Sequence, residues 1–251
     1  MEGWTSIVAI CIISLYCYAA YYSTYKKKFR TWPWWRYVVW MIGILCIAIS
    51  IDGPIAERAN SEFEAHMVTH LLLGMLAPLL LVLSSPITLL FRTLPVKQGR
   101  AVSKILKSRY VRVVSHPITA VILNMGGLWL LYRTDLYQAM HHSTLLHVII
   151  HFHFFAAGYL FTASMLYFEP VPHRFSFQYR TCVCFIFLTM HGFLSKTIYA
   201  YPPEGIELYS AETGAMIMYY GGDLIDAVMI IILFSQWYRS LKTKQIILVQ
   251  R

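Results

Sequence analysis

The sequence predicts an all-α polytopic membrane protein. It forms one bundle of seven transmembrane helices over residues 1–251, with the N-terminus outside and the C-terminus cytoplasmic. Three observations carry this reading. The chain is 58% hydrophobic and only 13% charged, where a soluble domain carries about 25% charge, and its mean hydropathy is +0.55. Apolar stretches near the roughly 20 residues that a bilayer crossing requires recur along the whole chain. The basic residues fall in alternate connections between those stretches. Disorder, coiled coil, collagen and a disulfide-stapled secreted domain are excluded by composition, and a soluble enzyme fits poorly.

The first stretch, Trp4–Tyr22, lacks a basic start and an obvious small-residue cleavage site, so it reads as a mature helix and not a signal peptide. The second, Trp34–Ile51, opens on an interfacial belt of Trp32, Trp34, Trp35 and Tyr37. His66–Phe91 is long and begins with polar residues, whereas Pro117–Tyr132 is short. Thr144–Phe168 is again long, and Thr181–Ala200 follows. Gly214–Tyr238 ends on Trp237 and Tyr238, a second belt. Arg92–His116 is the longest connection. Val102, Ile105 and Leu106 among its basic residues suit a short amphipathic helix on the inner surface. Cys11, Cys17, Cys46, Cys182 and Cys184 all sit inside apolar runs and read as small buried hydrophobes.

The net charge of +9 is explained by topology. Lys26, Lys27, Lys28 and Arg30 follow span one, with Arg36 just inside span two, and seven Lys or Arg residues from Arg92 to Arg112 follow span three. Arg174 and Arg180 follow span five, and Arg239, Lys242, Lys244 and Arg251 follow span seven. Only Arg58, Arg133 and Lys196 lie elsewhere, and Glu2, Glu57, Glu62, Glu64, Asp135, Glu204, Glu207 and Glu212 mark the opposite side. The positive-inside rule then places the N-terminus out and the C-terminus in. The basic loops need no nucleic-acid partner; they face the lipid bilayer.

Ionisable groups inside a membrane are costly, which makes them functional candidates. In this topology His66 and His70 open span three at the outer surface, and His141 and His142 precede span five there. His147 and His151 lie inside span five, His191 inside span six, and Asp223 and Asp226 inside span seven. At about 1.5 Å per residue, His70 is about 6 Å deep, His151 about 10 Å, and His191 and Asp223 about 13 Å. His66/His70 and His147/His151 are each four apart, so each pair shares a helical face, while His153 points elsewhere. Two imidazoles on adjacent turns can chelate one metal without bending the backbone. Imidazole suits copper, zinc, iron and nickel, and the nearby Met67, Met75, Met190, Met216 and Met218 add thioethers that favour copper(I). His66, His70, His147, His151 and His191 are therefore the candidate metal ligands, with Asp223, Lys196, Met67 and His142 as supporting or additional ligands. Lys196 and Asp223 are also candidates for an intramembrane ion pair.

Other chemistries remain open at this level. A zinc hydrolase would use three ligands and a bound water, with Ser195 on the His191 face, yet no His-Glu-x-x-His is present. Haem with His151 and His191 as axial ligands is another possibility, and a di-iron oxygenase a weaker one.

The segment Ala65-His66-Met67-Val68-Thr69-His70, continuing through Gly74, Ala77 and Pro78 to Leu80, resembles the signature of the bacterial CtaG-type cytochrome c oxidase assembly factors. Ser85-Pro86-Ile87-Thr88, Ser115-His116-Pro117, the run from His147 through His151 to Gly158, His191, and an aspartate in span seven extend the likeness over nearly the whole chain. Gly221-Gly222-Asp223-Leu224-Ile225-Asp226 leaves the choice between Asp223 and Asp226 open. The resemblance implies a non-enzymatic copper-handling role in the plasma membrane. Its partners would be cytochrome c oxidase subunits or another copper carrier, with zinc or haem as the alternative cofactors.

Overall fold

The computed structural model describes residues 4–25 and 30–249. Lys26, Lys27, Lys28, Glu2, Arg251 and the Lys244 side chain, all invoked for orientation, lie outside the described residues. Every regular element described is helical. In order they are α1 (Trp4–Tyr25), α2 (Trp34–Ile51), α3 (Pro54–Ala59) and α4 (Phe63–Leu71), then a π-helical turn at Leu72–Leu76. There follow α5 (Ala77–Ser84), α6 (Pro86–Thr93), α7 (Val96–Leu106), α8 (Arg109–Val114) and α9 (Pro117–Arg133). The chain finishes with α10 (Leu136–His142), α11 (Thr144–Met165), α12 (Phe177–Ala200) and α13 (Leu208–Val249).

Six stretches among the described residues are long and apolar enough to cross a membrane: Trp4–Tyr25, Trp34–Ile51, Phe63–Thr93, Thr144–Met165, Phe177–Ala200 and Leu208–Lys242. These match six of the seven expected spans. The remaining one, α9, has 17 residues, or about 26 Å of rise against a hydrocarbon core of about 30 Å.

The α4–α5 column is the centre of the bundle. Its apolar window is 72% buried, against 17–39% for the other five stretches. It packs on α2, α11 and α13, while α9 wedges against α11 and α12, and α1 lies outside against α2 and α6. Pro78, in the first turn of α5, has no N–H to give the Gly74 carbonyl. The backbone instead widens by one residue, and the Ala77 N–H reaches the Leu72 carbonyl.

Ser85 ends this column in the left-handed region, with φ 57°, and Pro86 starts α6. The exposed amides of that new helix are met by Glu169, in the connection after α11. Its carboxylate accepts from Ile87 N and Thr88 N at 2.8 Å each, and from Thr88 Oγ1 at 2.7 Å. A carboxylate there satisfies orphan donors and complements the helix dipole. Burial pushes the Glu169 carboxyl above its ordinary range, and the three donors and the Arg36 charge oppose this.

One expectation is corrected. Only Cys46 and Cys184 are buried; Cys17 is half-buried, and Cys11 and Cys182 are exposed. An apolar run in a membrane helix does not identify the protein interior, because the lipid-facing side is apolar too. The Arg92–His116 connection does hold a separate short helix, α7, as expected, and none of its residues is buried in the bundle.

Candidate functional site

Four helices bring the histidines together. His66 and His70 project from α4 on one face, and both are buried, at 2% and 5% exposure. Facing them, α11 carries His147 and His151, whose rings stack with centroids 4.0 Å apart. The His66 ring meets the His151 ring edge-on at 6.4 Å. One turn deeper, the rings of His70 and His191 lie nearly parallel, also at 6.4 Å. His141 of α10 is within electrostatic reach of His66, His147 and His151. The result is a file of imidazoles running from His141 inward to His191.

The aromatic and glycine neighbours hold this file in shape. The Tyr132 hydroxyl, at the end of α9, and His66 Nε2 share a 3.0 Å hydrogen bond. Phe63 and Tyr137 complete the His66 enclosure, with centroids at 6.2 and 5.1 Å. Burial pushes the Tyr137 phenol up to about 12, with the Glu64 charge adding to it, so the hydroxyl stays protonated at neutral pH. His151 Nδ1 donates to the His147 carbonyl and His141 Nδ1 to the Tyr137 carbonyl, each at 2.8 Å. In the neutral ring this leaves each Nε2 lone pair free. On α13, a side chain at Gly222 would overlap the His191 ring, and one at Gly214 would approach Phe63 Cδ1 to 2.6 Å. These small residues let α13 close over the file.

Four polar atoms here are buried without a hydrogen-bond partner: both ring nitrogens of His70, Nε2 of His191 and Oδ2 of Asp226. Unpaired buried groups of this kind are rare and cost about 1–3 kcal/mol each. Imidazole nitrogens with free lone pairs fit a soft or borderline metal ion. No three His, Cys, Asp or Glu side chains among the described residues converge to form a joint metal cage. The arrangement is a succession of pairs along a line.

The other predicted site residues fall around this line. Met67 is fully buried beside Gly214. His142 is exposed at the end of α10. Asp223 is exposed on α13, while Asp226, three residues on, is 2% exposed and faces the bundle interior. Lys196 forms no ion pair with Asp223; its ammonium sits 5.4 Å from the Tyr219 ring centroid. Ser195 Oγ donates to the His191 carbonyl at 3.0 Å, and His153 turns away to the Leu123 carbonyl at 3.0 Å. Tyr132 and Tyr137 are the partners that sequence reasoning missed. The available signal was position: Tyr132 closes α9 and Tyr137 opens α10, at the same end of the bundle as His66.

Uncharacterised proteins of Mycobacterium bovis and Mycobacterium tuberculosis are each 28% identical over 244 residues, covering 89% of this chain and 37% of theirs. One from Mycobacterium leprae is 25% identical over the same length. The chain thus spans 37% of the length of these curated relatives. No solved structure matches it. The family model described as cytochrome c oxidase caa3 assembly factor (Caa3_CtaG) matches residues 15–240, from within α1 to within α13, and the chain belongs to the CtaG family of caa3 cytochrome c oxidase assembly factors.

Proposed function

We propose that this protein handles copper during assembly of a haem–copper cytochrome c oxidase, passing the ion along its histidine file to an oxidase subunit or to another copper carrier. It would act in the bacterial plasma membrane with α9 as a seventh crossing, the N-terminus outside and the file opening outward. His66, His70, His147, His151 and His191 would carry the ion as cargo, and no bond of a substrate is broken. The observation that carries this reading is His70, whose two ring nitrogens are both buried without a partner beside His191. A merely structural histidine bridges helices with at least one of those nitrogens. Pairs in series, open to exchange, suit a carrier better than a closed cage, which releases metal slowly.

Elemental analysis with an absorption spectrum on protein purified in detergent without chelator tests this. Copper near one or two equivalents per chain is expected, lost in the His66→Ala/His70→Ala double variant without loss of helical content. Full copper retention in that variant overturns the ligand assignment. Zinc in place of copper turns the reading toward a hydrolase, and a Soret band turns it toward haem.

A further inference from the structure

We propose that the file continues into a second, deeper metal station. This is a cavity bounded by Asp226, Met75, Met229, Asn124 and Thr162, one helical turn below the His70–His191 pair, and it takes copper(I). The proposal rests on the copper reading above and extends it to residues which that reading does not use.

The placement follows from four helices at once. His70, Phe154, His191 and Gly222 surround the lower end of the file. Four residues further inward on each of these helices come Gly74, Gly158, Phe187 and Asp226, and all four line the cavity. Four residues of helix correspond to about 6 Å. A volume of about 10 Å³ is open to a small sphere there, roughly enough for one water or one bare ion.

The lining has the chemistry of a soft cation site. Asp226 is 2% exposed and its Oδ2 has no partner, and a bare carboxylate at that depth is costly without a cation or a proton. Met75 and Met229 bring two thioethers, at 8% and 3% exposure. Asn124 and Thr162 add neutral oxygens. Thioether selects copper(I), whereas magnesium and calcium need oxygen shells and zinc prefers thiolate or imidazole. The wall beside Met75 is the π-helical turn at Leu72–Leu76, a geometry that recurs at functional sites. Gly158 adds to the wall, where a Cβ would run into the Gly74 carbonyl, and Leu79, Phe161 and Ile225 complete it. An ion leaving His70 and His191 therefore meets a carboxylate and two sulfurs within one turn.

The test uses full-length, selenomethionine-labelled protein in detergent, loaded anaerobically with copper(I) and read by copper K-edge absorption and copper count. Selenium scattering beside nitrogen scattering is expected in the parent chain. Met75→Leu/Met229→Leu, a nearly volume-conserving change, should remove the selenium signal and lower the count by one equivalent. Asp226→Asn should weaken copper(I) binding about tenfold or more. If the double variant does not purify as a folded monodisperse species, Met229→Leu alone decides, by a fall of about half in the selenium signal. Copper bound in the parent chain with nitrogen-only scattering overturns the deeper station and leaves the histidine reading standing. Selenium scattering that survives in the methionine variants also overturns it, because another methionine is then the ligand. A parent chain that binds no copper overturns both readings.

Discussion

Tyr132 shows how a residue without metal chemistry can govern one that has it. Its hydroxyl holds His66 Nε2 at 3.0 Å inside a ring of Phe63 and Tyr137. Tyr132→Phe removes that partner and strands a buried nitrogen, with an expected cost of about 1–2 kcal/mol in thermal unfolding. Copper affinity should change as well, because the imidazole is freed to rotate. A variant with unchanged stability and unchanged copper affinity would separate Tyr132 from the site. The His-x-x-x-His spacing was legible in the sequence because helical geometry is local. The Tyr132–His66 bond was not, because 66 residues separate its partners. Asp223 and Asp226 could not be told apart by spacing either. The rotation of α13 decides, turning Asp226 inward and Asp223 out.

At the scale of elements, hydropathy located the long helices and missed what happens inside them. The stretch expected as one span, His66–Phe91, is a column interrupted by a π turn and then by a left-handed residue at Ser85. Pro78 and Pro86 were visible as letters, but their effects depend on neighbours from distant segments. Gly158 seats α11 on the π turn, and Glu169 caps the helix that restarts after Ser85. Gly158→Ala tests the first contact. Its methyl group meets backbone, which cannot rotate away, so α11 must separate from the column. A loss of about 1–3 kcal/mol is expected, and a folded variant with the parent melting temperature would show that the two helices have slack. The short α3 and α10 were also missed, being too brief for a periodic signal. Yet α10 supplies Tyr137 and His141 to the mouth of the file.

For the whole molecule, composition alone placed the chain in a membrane, and the family match over residues 15–240 agrees with the family suggested by the His66–Pro78 segment. The periphery and the centre divide the labour. α1 and α2 present exposed apolar faces, whereas the column and its neighbours α11 and α12 carry every histidine of the file except His141. The same packing is tight below the His70–His191 pair. Phe161 and Phe187 stack with centroids 4.0 Å apart at the cavity, and the Gly74–Gly158 approach brings two helix backbones into contact beside them. A file of imidazoles is a ready proton wire, and in an energised membrane a wire that ran right through would short-circuit respiration. The aromatic rings and touching backbones below His191 predict that this one ends blind. Liposomes containing the protein should hold a pH gradient as long as empty ones do, read with an internal pH dye. Faster collapse of the gradient would mean that the file conducts.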